Sequence, residues 1–211
     1  MGALFISALI TCNLIANKFI SLDLGFKTFI ISAGILPYPA TFLITDILSE
    51  IYGRKRTNQV VFAGFFASMF TLFMLWLGHQ FPAIDGSPVN DHYYDTVFQN
   101  SWRVISASMV AYLSAQLVDV RLFHFWKNLT KGKMLWLRNN ASTVTSQFLD
   151  TVLVVSVIFI GTPQQENIGT MVVDGWLFKA LVALSDTIFI YLAVHFFRKR
   201  FKLKLGQEIA I

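Results

Sequence analysis

Six apolar runs, each about as long as a helix that crosses a bilayer, divide this 211-residue sequence: roughly Ala3 to Ile20, Ile30 to Tyr52, Val60 to Gly78, Trp102 to Phe123, Asn139 to Ile160 and Trp176 to Phe197. A crossing takes about 20 predominantly apolar residues. Because hydrocarbon offers backbone groups no partner, each run has to pair its own amides, which a helix does. Only 14% of residues are charged against about 25% in an ordinary soluble domain. The expectation is an all-α membrane protein: one polytopic domain over residues 1–211, six transmembrane helices, and a basic tail over 198–211. The opening MGALFISALI lacks the positive region of a cleaved signal and reads as a retained first helix. The second run is the least regular. Pro37 and Pro39 interrupt it, so the part before them reads as a short re-entrant or broken segment.

Lys and Arg set the orientation. Of 17 basic residues, 13 fall at Arg54 to Arg56, in the connection with Arg121, Lys127, Lys131, Lys133 and Arg138, and in the tail with Arg198, Lys199, Arg200, Lys202 and Lys204. The alternate connections hold Lys18, Lys27 and Arg103, with Lys179 just inside the last run, and the stretch from Gln80 to Ser101 is acidic through Asp85, Asp91 and Asp95. Both termini are therefore expected in the cytoplasm. Topology accounts for the net charge of +5, so no nucleic-acid partner is expected. Trp76, Trp102, Trp126, Trp136 and Trp176 lie near the predicted span ends, as an interfacial belt requires. Cys12 is the sole cysteine, which excludes an intrachain disulfide and a zinc site of several thiolates.

Acids inside these runs carry the functional reading, because a charge at the centre of a membrane helix costs roughly 2.5 to 3.5 kcal/mol on insertion scales. Asp46 and Glu50 stand one turn apart on one helix face, with Thr45 and Ser49 on the adjoining strip. They line a polar interior, or else Glu50 snorkels to the headgroups and Asp46 pairs with a basic residue. In the fourth run, Gln116 and Asp119 lie three apart; Asp119 serves a ligand or coupling role, or is neutralised by Arg121 or Arg138. The fifth run is the most polar. Arg138, Asn139 and Asn140 open it, and Asn139, Thr143, Ser146 and Asp150 continue as one stripe with Gln147 beside it. Asp150 falls about 18 Å along the helix from Arg138, near mid-membrane. Asn13 and Asn17 put two amides on one face of the first run, either as ligand contacts or as interhelical hydrogen bonds. Ala8, Cys12 and Ala16, like Ala107, Ala111 and Ala115, form small-residue stripes suited to close packing and leave a homodimer open. Asp186, seven residues after Lys179, reads chiefly as an interhelical charge pair.

Several chemistries are missing from the sequence. No G-x-x-x-x-G-K-[ST] loop is present, so ATP hydrolysis by this chain is not expected, and the histidines show no H-E-x-x-H spacing. G-x-S-x-G is absent as well. No catalytic residue, cofactor or metal ion is expected, and the chain is read as not an enzyme.

The motifs N-x-x-A-N-K in the first run, P-A-T-F-L-I-T-D-I-L-S-E-I-Y-G-R-K in the second, S-A-Q-L-V-D-V in the fourth and W-L-R-N-N-A-S-T-V-T-S-Q-F-L-D-T in the fifth together resemble the queuosine precursor transporter family, also named the vitamin uptake transporter family. The resemblance implies a multi-pass inner-membrane importer of 7-deazaguanine bases: the 7-cyano or 7-aminomethyl forms, or queuine. These feed the modified tRNA nucleoside queuosine. It also implies a likeness to the substrate-binding components of energy-coupling-factor transporters, although Cys12 stands where an all-alanine docking stripe is expected, so a separate ATPase module is neither required nor excluded. The positions matching the family motifs, Asp46, Glu50, Asp119, Arg138, Asn139 and Asp150, are the first expected contacts. Glu50 or Asp46 would read the guanine-like edge, Gln116, Asn140 and Gln147 the remaining polar atoms, and Asp119 or Asp150 a cationic aminomethyl group or a coupling proton. Tyr38, Phe42 or Tyr112 would stack on the ring. Competing readings are a substrate-binding subunit of an ATP-driven importer, an intramembrane enzyme, and a purely structural subunit.

Overall fold

The computed structural model describes residues 1–16, 18–23, 25, 27–98, 102–161, 163 and 165–209. Among them, helix α1 (Gly2–Leu14) leads into an antiparallel hairpin of β1 (Phe19–Asp23) and β2 (Thr28–Ser32), followed by α2 (Tyr38–His79), α3 (Asp91–Phe98), α4 (Trp102–Leu129), α5 (Leu135–Phe159), α6 (Ile168–Ser185) and α7 (Thr187–Phe201). The hairpin departs from the all-α expectation and shortens the first predicted span by six residues at its end. Its cause is period-two patterning: Phe29 and Ile31 of β2, with Ile20 and Leu22 of β1, pack on Phe178 of α6. Gly25 takes a positive φ of 81° in the connecting turn. The second predicted run is interrupted at Pro37 and Pro39 as expected, with a strand and a short 3-10 turn before them. The two prolines open α2, where a missing N–H costs nothing because the first amides of a helix have no partner.

Although α2 is continuous in hydrogen bonding, Gly53 at its middle has φ 78° and ψ 171°. The Ser49 hydroxyl donates to Thr57 Oγ1 at 3.3 Å across that point. Eight residues of straight helix span about 12 Å, so the chain reverses there and α2 is a helical hairpin. Its arms, residues 38–52 and 54–79, meet α1 and α4 in one cluster of Phe5, Leu9, Ile44, Leu48, Val61 and Tyr112. A second cluster joins Ile47 and Ile51 of α2 to Phe123 of α4, Leu135 of α5, and Ile190 and Val194 of α7. α4 and α5 pack along their lengths, and Ala111 and Ala115 of α4 are fully buried. The last predicted span proves longer than expected. α6 starts at Ile168 and α7 follows after Asp186, so Trp176 lies inside α6 and donates to the Val144 carbonyl instead of marking a span end.

Beyond α7, the chain folds back across this end of the bundle. Leu203 and Ile209 join the second cluster, the Ile209 amide donates to the Ile51 carbonyl at 2.8 Å, and the Glu208 carboxylate occupies the space that a Cβ at Gly53 would take. Among the described residues, two helical stretches, Ala33–His79 and Gln165–Phe201, are long and apolar enough to cross a membrane. Their outer faces expose Phe66, Phe70, Phe73, Ile188, Leu192 and Phe196, while Asp, Glu, Arg, Gln and Asn are buried inside. That is the inverse of a water-soluble protein.

Gly53→Ala places a Cβ both in a φ region open only to glycine and against Glu208. The expected cost is about 1 to 3 kcal/mol, read as a fall in the melting temperature of the detergent-solubilised protein; an unchanged melt would show that the turn relaxes.

Candidate functional site

Two connected cavities lie between α1, α2, α4, α5 and α6. The larger, about 740 Å³, is lined at one end by Thr28 and Phe29 of the β-hairpin and by Phe98 and Asp174, and is mostly apolar. It shares Asn13, Ser32, Met109 and Gly175 with a smaller chamber of about 250 Å³. Polar groups converge in that chamber: Asp150 and Thr151 from α5, Lys179 from α6, Tyr38 from α2 and Asn13 from α1. The Lys179 ammonium donates to Asp150 Oδ2 at 2.7 Å and to Thr151 Oγ1 at 3.2 Å, and sits 5.0 Å from the centre of the Tyr38 ring. Tyr38 and Asp150 stand together in the chamber wall. Tyr112 also lines the chamber; its hydroxyl is spent on the Val61 carbonyl at 3.1 Å, which leaves the ring as its contribution.

Gly34 lets the hairpin end close on this site. A Cβ there would lie 2.5 Å from the Cys12 carbonyl, and the neighbouring Ser32 hydroxyl donates to the Ala16 carbonyl at 2.6 Å. Cys12 and Ala16 of the small stripe thus meet the hairpin and the chamber wall. Neither was distinguishable in sequence from a helix-packing stripe.

Below the chamber the polar residues continue in layers. Gln116 bridges α4 to α2, accepting from Thr45 at 3.1 Å and donating to Thr41 at 3.4 Å. One turn further, Asp46 and Asp119 are buried in mutual contact, held by Thr143 and Ser146 of α5. Gln147 and Asn139 are buried on the same helix. The last layer centres on Glu50, which is fully buried. Its carboxylate meets Arg138 at 2.7 Å, Lys127 at 3.5 Å, and Arg198. Lys127 also pairs with Glu208 at 2.8 Å, and the Arg138 guanidinium lies 5.5 Å from the Phe123 ring centre.

Of the residues expected from sequence, Asn13 and Asp150 line the chamber, and neither cavity is lined by Asp46, Glu50, Gln116, Asp119, Arg138, Asn139, Asn140 or Gln147. Asn140 is turned to α7, where it donates to Thr187 at 2.8 Å. Asn17 lies outside the described residues. Arg121 is exposed and does not take up the alternative of pairing with Asp119, and Asp186 stands at the joint between α6 and α7 with no ion pair among the described residues, against the interhelical charge pair expected of it. Lys179 is a chamber residue absent from the site expected in the sequence. A lone lysine in an apolar run, at a depth matched by Asp150, was the available signal.

A bundle with an apolar exterior and a polar chamber reached through a larger cavity is the layout of a membrane transport protein. Residues 32–193 match the family described as "Putative vitamin uptake transporter", and the chain belongs to that family. It is 28% identical over 161 residues to the "Probable queuosine precursor transporter" of Bacillus subtilis (strain 168), covering 76% of this chain and 70% of that one. Against the "Queuosine precursor transporter" of Escherichia coli (strain K12), identity is 24% over 167 residues, 79% of this chain and 70% of the other. No solved structure matches the chain. Transporter family and candidate spans together point to a membrane protein.

Because Asp150 and Lys179 are both buried, removing either strands the other. Lys179→Met or Asp150→Asn alone is expected to cost about 3 to 5 kcal/mol. The double variant should lose less than the sum in thermal melts; additive losses would mean that the pair is not coupled.

Proposed function

We propose that the chain is a multi-pass inner-membrane importer of a queuosine precursor, a 7-deazaguanine base, and that the small chamber is where the base binds. The two arms of α2, together with α1, α4, α5 and the α6–α7 rod, supply six crossings with both termini in the cytoplasm, the orientation favoured by the lysines and arginines. The larger cavity then faces outward and the Glu50 layer inward.

The observation that carries the reading is the Asp150–Lys179 pair beneath the Tyr38 ring at the end of an apolar cavity. A deazaguanine presents N1–H and an exocyclic amine, donors that one carboxylate can accept together, and an O6 acceptor that an ammonium can reach. Tyr38 and Tyr112 offer rings against which a flat bicycle can lie. Ligand pockets usually enclose about 300 to 1,000 Å³, so a chamber of about 250 Å³ suits a free base better than a nucleoside. Asn13 adds an amide at the mouth. Asp46, Glu50, Gln116, Asp119, Arg138, Asn139 and Gln147 serve the passage below the chamber, and Asn140 holds α7 against it.

A panel of free bases should raise the melting temperature of the purified protein, since a ligand of the folded state stabilises it by mass action. The 7-cyano and 7-aminomethyl deazaguanines are expected to stabilise it and adenine is not; a flat panel would remove the substrate assignment. Lys179→Met is expected to weaken that binding more than tenfold. Glu50→Gln should insert in the membrane yet fail in uptake, and normal uptake would take Glu50 out of the transport path. Uptake by the purified chain in liposomes separates a self-sufficient carrier from a subunit that depends on an ATPase module.

A further inference from the structure

The layer between chamber and inner end has a deficit in its hydrogen bonding. Asp46 and Asp119 are exposed by 1% and 0%, and their carboxyl groups touch. One oxygen of each is satisfied: Thr143 donates to Asp46 Oδ2 at 3.2 Å and Ser146 donates to Asp119 Oδ1 at 3.0 Å. The other two, Asp46 Oδ1 and Asp119 Oδ2, meet no donor among the described residues. An ionised carboxylate only accepts, so two of them in contact would repel and leave two buried acceptors bare. A single proton turns one carboxyl into a donor to the other.

The surrounding charges offer no substitute. From α5, Arg138 acts on Asp46 at a distance but its guanidinium is on Glu50, the next acid along α2. Lys127 of α4 is divided between Glu50 and Glu208, Arg198 of α7 is on Glu50, and Lys179 of α6 is on Asp150. Ser142, also from α5, adds a neutral hydroxyl near Asp119.

We propose that Asp46 and Asp119 form a proton-binding site that holds one proton between them in this conformation and exchanges it as the carrier cycles. The second half of the statement rests on the import reading; the first does not. Along α2, Asp46 lies about 12 Å from Tyr38 and about 6 Å from Glu50, so the proton sits between substrate and inner end. Parting of the Glu50 layer admits water and frees Arg138 to face the two acids. The proton then leaves to water on the inner side, and both carboxylates remain paired with the guanidinium.

Infrared spectroscopy of the purified full chain tests the site directly. The carbonyl stretch of a buried protonated carboxyl is expected at neutral pH in the native protein and should be lost in both Asp46→Asn and Asp119→Asn. Its absence from the native protein, or its survival in both variants, overturns the proposal. In liposomes, an inside-alkaline pH gradient should accelerate uptake of 7-cyano-7-deazaguanine several-fold, and that acceleration should vanish in either variant. Acceleration by a sodium gradient alone would also overturn it. Should the native protein take up no deazaguanine at all, the import reading fails while the infrared result still decides the proton site.

Discussion

One buried carboxylate, Glu50, holds one end of the bundle together. It sits on the first arm of α2, and the cations around it come from three other helices: Lys127 on α4, Arg138 on α5 and Arg198 on α7. A charge removed from water is strongly unfavourable alone, and this one is tolerated because its partners surround it at contact distance. The reverse also holds. Three cations brought to one point would force these helices apart without the anion between them, so the packing of α2 against α4, α5 and α7 depends on a single negative group. The apolar cluster of Ile47, Ile51, Phe123, Leu135, Ile190 and Val194 lies against this point and shields it from solvent.

The two ends of the bundle are built differently. At the Glu50 end, charge pairs and the returning tail fill the space. At the other, the β-hairpin packs on α6 and leaves a large apolar cavity beneath it. Between them the polar side chains descend from Asp150 and Lys179 through Gln116 to the two acids and then to Glu50. A helix interior this polar cannot face lipid, and it does not: the exposed faces of α2 and α7 carry Phe, Ile and Leu.

Much of this arrangement was readable in the sequence, and the misses have physical causes. The acids at Asp46, Glu50, Asp119 and Asp150 stand out because apolar runs hide no charge, and all four are buried. Their partners were harder to name, since pairing across helices depends on rotation and depth that no single run encodes. Arg138 was one candidate partner for Asp119 and instead meets Glu50; Lys179 had no partner named in sequence and meets Asp150. The hairpin at Phe19–Ser32 escaped because its residues are apolar enough to extend a helix, and only their alternation marks strands. The prolines did mark an interruption of the run from Ile30, because the chain becomes α-helical only at Tyr38, where Pro is tolerated in the first turn. The reversal at Gly53 falls where the second run ends at Tyr52 and the basic connection at Arg54 to Arg56 begins, so it was legible.

The returning tail changes what motion at the Glu50 end entails. Glu208 borrows Lys127 from Glu50, and Ile209 adds a backbone bond to Ile51. Separation of α2 from α4 therefore cannot occur as a simple tilt of rigid rods; residues 203–209 must peel away in step. The tail acts as a zip fastener whose teeth are one shared ammonium, one amide and two aliphatic side chains, so its grip weakens with ionic strength only in part.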